Sequence, residues 1–170
     1  MTRRDFMIKW LWYALALTPI LILNLYLLPR FPIFGIIPSL LPIAAITVAV
    51  LEGPAAGGGF GLFVGILSDA LIPGLPGAMT LALSVLGMGA GAASRYGVHR
   101  NLAGCLLCSS SAMVLINLVR LIYSLARSVA PLPDLLAVAL PEILLSLVFL
   151  PPIYAIFLWV YRRVPQASVF

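Results

Sequence analysis

Hydrophobic residues fill six long stretches of this chain, and charged or turn-forming residues separate them. Each stretch is close to the roughly 20 residues that a helix needs to cross the hydrocarbon core of a bilayer. The predicted membrane spans cover residues 10–28, 33–51, 55–72, 78–93, 102–126 and 135–161. Pro38 and Pro42 are expected to kink the second span or delay its start, and Pro151 and Pro152 lie near the middle of the sixth.

The third span carries a four-residue repeat of glycine that ends in a carboxylate: Gly57, Gly61, Gly65 and Asp69. Residues four apart lie on one face of a helix, so these four form a narrow stripe. Gly87 and Gly91 repeat the interval in the fourth span. Small residues let membrane helices approach closely. The stripe therefore indicates packing of the third span on the fourth, which we favour, or an interface for a partner helix, and the two are compatible.

Polar side chains inside four of the spans predict a second feature. At about 1.5 Å per residue, all of them lie within roughly 10 Å of the outer ends of their helices: Asn24, Asp69, Asn117, Arg120 and Glu142. Charges in lipid are usually paired, so a shared polar cluster in the outer half of the bundle is expected. It serves either as structural glue or as a binding site.

Within that cluster, Arg120 and Glu142 lie at nearly the same depth in adjacent antiparallel helices. We predict that they pair, with Asp69 as the competing carboxylate. The remaining alternative is that Arg120 extends alone to the membrane surface.

Composition agrees with a membrane protein, because 63% of the residues are hydrophobic and only 9% are charged. Soluble domains have about a quarter of their residues charged. Mean hydropathy is +1.16. The net charge of +5 does not indicate nucleic-acid binding, since the basic residues occur singly or in pairs between apolar runs, as helix-flanking anchors do. The predicted fold is an all-α membrane protein, a bundle of six transmembrane helices.

The basic residues also predict the orientation of the bundle. With the N-terminus in the cytoplasm, Arg30 and Arg127 lie outside and seven others lie inside: Arg3, Arg4, Lys9, Arg95, Arg100, Arg162 and Arg163. This bias follows the positive-inside rule and places both termini in the cytoplasm. Residues 1–163 then form one membrane domain, and 164–170 form a short cytoplasmic tail. The first span is expected to be a retained helix, because no small-residue cleavage pattern follows it.

The sequence lacks the residue combinations that intramembrane catalysis requires. His99, the sole histidine, lies in a link between spans and away from the intramembrane serines, and there is no HExxH motif and no Walker loop. Asp69 lacks a second carboxylate at its site. Cys105 and Cys108 lie in an apolar run without further metal ligands, which favours packing over redox or metal chemistry. The sequence therefore predicts no enzyme, metal or cofactor.

One stretch of the chain resembles a known family. Pro38 to Leu41, then Gly53-Pro54, the glycine stripe from Gly57 to Asp69, and the segment from Gly77 resemble the rod shape-determining protein MreD family. That family has a glycine-rich helix of the form GxxxGfxxGxxxD. Ser39 stands where the family often has Asp or Asn, so no carboxylate role is expected there. The motif covers about residues 38–90, whereas the length and span layout agree along the whole chain.

The resemblance implies a non-catalytic scaffold of the cell-elongation machinery in the bacterial inner membrane. It implies an MreC-like bitopic partner and, through that partner, the MreB cytoskeleton and the peptidoglycan synthases. The same layout also resembles the substrate-binding S components of energy-coupling-factor vitamin transporters, which is the alternative expectation. No nucleic-acid partner is implied, the lipid bilayer is the expected surrounding, and self-association of the chain stays open.

Overall fold

The computed structural model describes residues 3–30, 38–71, 77–96, 101–126 and 132–163, and nearly all of them are helical. The helices are α1 (Arg3–Ile22), α2 (Leu28–Arg30), α3 (Leu40–Glu52), α4 (Pro54–Leu71), α5 (Ala78–Tyr96), α6 (Leu102–Ala126), α7 (Leu132–Val148) and α8 (Leu150–Arg163). A π-helical segment, Leu23–Leu27, joins α1 to α2. The predicted tail 164–170 and the linking residues His99, Arg100 and Arg127 lie outside the described residues.

Three helices of the described residues are long and apolar enough to cross a membrane: Met7–Arg30, Pro54–Leu71 and Leu102–Ile122. The bent pair of α7 and α8 makes a fourth if it is counted as one span. By the same measure α3 is too short, and the glycines, serines and Arg95 of α5 lower its hydropathy. The chain is therefore a helical membrane protein with three to four candidate spanning helices, where the sequence predicted six.

Helix α3 lies at the centre of the protein. It packs against α1, α4, α5, α6, α7 and α8, and every residue from Leu40 to Leu51 is buried. The second span was predicted from residue 33, but Pro38 and Ser39 precede the helix, and residues 33–37 lie outside the described part. At 13 residues, α3 is about 20 Å long, which is shorter than the hydrocarbon core. Its ends therefore need polar partners from the surrounding helices.

A single residue joins α3 to α4. Gly53 has φ +100°, a conformation that favours glycine, and its N–H donates to the Ala49 carbonyl at 2.9 Å. Pro54 then begins α4, a position where its missing N–H costs no helical hydrogen bond. The chain thus turns directly from the central helix into the glycine-striped helix.

The predicted sixth span is two helices. α7 and α8 meet at Phe149 with a bend of 43°, because Pro151 and Pro152 have no N–H to continue the helical hydrogen bonds. Beside α8, the rings of Tyr13, Phe60 and Phe157 pack with centroids 6.1–6.2 Å apart. This aromatic group joins α1, α4 and α8 into one core.

Candidate functional site

The glycine stripe of α4 lies against α5 and the end of α3. A Cβ atom built at Gly57 would lie 2.6 Å from both the Ala49 Cβ and the Gly87 carbonyl oxygen. Cβ atoms at Gly61 and Gly65 would overlap the α5 backbone at Leu83 and Thr80, respectively. Only glycine permits such approach between helices.

The α5 glycines complete this contact. A Cβ at Gly87 would overlap the Gly57 backbone, and one at Gly91 would lie 2.5 Å from the Gly53 carbonyl carbon and the Pro54 nitrogen. Gly59, off the stripe, has nothing within 4 Å of its Cβ position. Of the two interpretations of the stripe, the structure thus shows packing inside the chain, and this face of α4 is covered by α5.

Asp69 binds the start of α5. Its Oδ2 accepts hydrogen bonds from the Thr80 N–H at 3.0 Å and the Thr80 hydroxyl at 2.6 Å, and its Oδ1 accepts from the Met79 N–H at 3.3 Å. The first N–H groups of a helix have no partner in the helix, and its dipole favours a negative charge there. Asp69 is therefore a cap supplied by the neighbouring helix, and this engages the carboxylate that competed for Arg120.

Arg120 on α6 pairs with Glu142 on α7. The Arg120 Nη1 lies 3.3 Å from the Glu142 Oε1, and the two side chains are 41% and 12% exposed. The structure thus contains the pair that the depth count predicted. The carboxylate is the buried member, so the pair neutralises a charge that would otherwise be costly inside the bundle.

The start of α3 is held by side chains from two other elements. The Ser39 N–H donates to the Ser146 hydroxyl at 2.9 Å, and the Leu40 N–H donates to the Asn24 Oδ1 at 3.3 Å. Asn24 lies in the π-helical segment and Ser146 in α7. These contacts satisfy N–H groups of a short buried helix whose own residues provide no side-chain cap.

The expected shared cluster is therefore corrected to separate contacts. Asn117 donates to the Met113 carbonyl of its own helix at 3.1 Å, Asn24 caps α3, and Asp69 caps α5. Among the described residues, only Arg120 and Glu142 of the predicted five bond to each other. Equal depth did not bring the other three together, because Asn24 and Asp69 bond to neighbouring helices and Asn117 bonds to its own.

A buried charge site at the opposite end of α3 was missed by the sequence reasoning. The Lys9 ammonium forms an ion pair with Glu52, whose Oε1 also accepts a hydrogen bond from the Tyr13 hydroxyl at 2.7 Å. The Lys9 and Glu52 side chains are 11% and 10% exposed. The available signal was topological: the start of the first predicted span and the end of the second lie at the same membrane face.

Both cysteines are free thiols buried near α3. The Cys105 Sγ lies 3.4 Å from the Thr47 hydroxyl and 4.0 Å from the Ser109 hydroxyl. In the part of the chain that the structure describes, no three His, Cys, Asp or Glu side chains are grouped as metal ligands. The Cys105 thiol thus contacts core polar groups of α3 and α6.

No protein family, curated protein or solved structure matches this chain. The five predicted polar residues cap helix ends, pair with each other or bond to their own helix, and the close contact of α4 with α5 is internal.

Proposed function

We propose that the chain is a non-catalytic scaffold subunit of the bacterial cell-elongation complex, of the MreD type. It is embedded in the inner membrane as a six-helix bundle with both termini in the cytoplasm. Its direct partner is an MreC-like bitopic protein, and through that protein it acts on the MreB cytoskeleton and the peptidoglycan synthases. The residues that support the family assignment are the stripe from Gly57 to Asp69 and the flanking Gly53-Pro54 and Gly77.

The observation that carries a scaffold role is the internal use of the intramembrane polar groups. All five predicted site residues hydrogen-bond within the chain: Asn24, Asp69, Asn117, Arg120 and Glu142. The outward faces of the helices are instead lined with large apolar side chains, for example Leu11, Leu107 and Leu144. Such faces suit lipid and other helices, which associate in membranes through packing and a few polar contacts.

The same observation favours the scaffold over the S-component alternative. A site for a polar vitamin needs side chains whose hydrogen-bonding groups are aimed at the ligand. Here Asp69 already accepts three hydrogen bonds from α5, and Asn117 bonds to its own helix. These groups are therefore already bonded within the chain, and Asp69 joins α4 to α5.

Two features support the proposal of six spans: the length of α5 and the enclosure of α3 by other helices. α5 has 19 residues and is about 28 Å long, close to the thickness of the hydrocarbon core. Its outer surface carries Leu81, Val85 and Met88, all exposed. α3 is short but is enclosed by other helices, which is the condition under which a partial span is tolerated.

Co-purification tests the proposal. The chain is co-expressed with the MreC-like protein of its own organism and, as a control, with an unrelated single-pass membrane protein. We expect the first to co-purify in detergent at a fixed ratio and the second to be lost on washing.

Thermal unfolding with thiamine, riboflavin or biotin then tests the alternative. A ligand at 100 times its Kd adds about 2.7 kcal/mol to the free energy of unfolding. A marked rise in Tm with one vitamin, together with failure to retain the MreC-like protein, would contradict the scaffold proposal. That result would favour the alternative, a substrate-binding S component of a vitamin transporter.

A further inference from the structure

Two tryptophans from opposite ends of the chain meet on the outside of the bundle. Trp12 of α1 and Trp159 of α8 pack edge to face, with ring centroids 6.4 Å apart and 72° between the ring planes, and both side chains are exposed. Because α1 begins and α8 ends on this side, the pair lies close to one membrane surface. Tryptophan is enriched at that depth, since its ring is apolar and its N–H is a hydrogen-bond donor.

Arg163 lies against this pair of rings. Its Cζ is 4.3 Å from the centroid of the Trp159 ring, within the range of a cation–π interaction. The contact keeps the guanidinium beside α8. Neither of the two ion pairs among the described residues includes Arg163 or its exposed neighbour Arg162. The described part of the chain therefore supplies no carboxylate to neutralise these two charges.

Deeper in the membrane the same helix faces are apolar. Leu15 lies one helical turn deeper than Trp12, and its side chain is exposed. Ile156 lies one turn deeper than Trp159 and is also exposed. In the other direction, Arg163 lies about 6 Å along α8 from Trp159. The headgroup layer of each leaflet is about 5–7 Å thick, so the change from cationic to aromatic to apolar side chains matches the change from phosphate to ester to acyl chain in a phospholipid.

We propose that this surface, the tryptophan–arginine face, binds a phospholipid with an anionic headgroup. The planar guanidinium of Arg163 offers several N–H donors to the phosphate, the indole N–H groups lie at the level of the ester oxygens, and the acyl chains pack on the apolar residues below. A zwitterionic lipid fits less well, because its positive group would lie beside Arg162 and Arg163 with no described carboxylate to bind it. The inference goes beyond the scaffold function and does not depend on it.

Lipid retention measured by native mass spectrometry tests the proposal. The purified chain is placed in detergent micelles that contain equal amounts of phosphatidylglycerol and phosphatidylcholine with the same acyl chains. We expect phosphatidylglycerol to be retained preferentially and Arg163→Gln to weaken its retention about fivefold, since one basic residue near anionic lipid contributes about 1 kcal/mol. Arg95→Gln is the matched control and should leave retention unchanged, because Arg95 is an exposed arginine at the end of α5, a helix without tryptophan.

Fluorescence quenching gives a second measurement that needs no variant. In a mixed bilayer, brominated phosphatidylglycerol should quench the tryptophan emission more than brominated phosphatidylcholine does, because the anionic lipid lies against the two exposed rings. Equal retention of the two lipids, or equal quenching by them, overturns the inference. A loss in Arg95→Gln as large as that in Arg163→Gln also overturns it, since the charge of the whole membrane face would then attract the lipid.

Glycerol phosphate, which has no acyl chains, separates a lipid from a free phosphate as the ligand. It should not displace phosphatidylglycerol at equal concentration, because it lacks the contacts with the tryptophans and the apolar residues. Displacement would overturn the inference. The scaffold function is tested separately, since no partner protein is present in these measurements.

Discussion

Removing both members of the Lys9–Glu52 ion pair should destabilise the protein less than the two single removals added together. The pair joins the beginning of the first span to the end of α3, and the Tyr13 hydroxyl holds the second carboxylate oxygen. In Lys9→Met, the Glu52 carboxylate stays buried with Tyr13 as its remaining donor. It also lies at the C-terminal end of α3, where the helix dipole disfavours a negative charge.

The burial of the pair sets the size of the effect. Two unit charges about 4 Å apart interact by about 4 kcal/mol at an effective dielectric constant of 20, and the loss of one partner of a buried pair costs about 3–5 kcal/mol. We expect that loss for Lys9→Met. Glu52→Gln should cost less, about 2–3 kcal/mol, because Lys9 can extend to the nearby membrane surface. The double variant should lose less than the two single losses added together, because it leaves no unpaired charge.

Chemical unfolding of the purified protein in detergent micelles measures these differences in the free energy of unfolding. Arg162→Met is the control, since Arg162 is an exposed cation and its removal should change stability by less than about 0.5 kcal/mol. A Lys9→Met variant as stable as the parent, or a double variant whose loss equals the sum of the single losses, would refute the reasoning. Either result would mean that water reaches the pair and screens it.

Three further predictions concern the other polar and glycine contacts. Arg120→Glu and Glu142→Arg should each lower the amount of folded protein in the membrane, and the double swap should recover it; harmless single swaps would show that Arg120 is only a surface anchor. Gly61→Ala should lower the free energy of unfolding by about 1–3 kcal/mol through overlap with α5, whereas Gly59→Ala should be neutral or stabilising by about 1 kcal/mol, and equal effects would contradict the packing described. Asp69→Ala should cost about 1–3 kcal/mol through loss of the α5 cap, with Asp69→Asn retaining part of it; an unchanged unfolding curve for Asp69→Ala would disprove the cap.

The sequence by itself determined two kinds of feature. One kind repeats at a fixed interval along a helix, and the other has a membrane depth that follows from counting residues from the end of a span. The stretches of apolar residues predicted a helical membrane protein, and the structure is helical with three to four candidate spans. The four-residue interval of Gly57, Gly61 and Gly65 defines one helix face whatever the neighbour is. Counting residues from the span ends put Arg120 and Glu142 at one level, and their atoms lie 3.3 Å apart.

Only the tertiary structure decided which neighbour each helix face meets. Equal depth predicted one polar cluster, but the rotation of each helix about its axis turns Asp69 toward the start of α5 and Asn24 toward the start of α3. Lys9 and Glu52 are 43 residues apart, and no local pattern joins them. Helix rotation and contacts between distant helices follow from how all the side chains pack together, a global condition that a period of 3.6 residues does not contain.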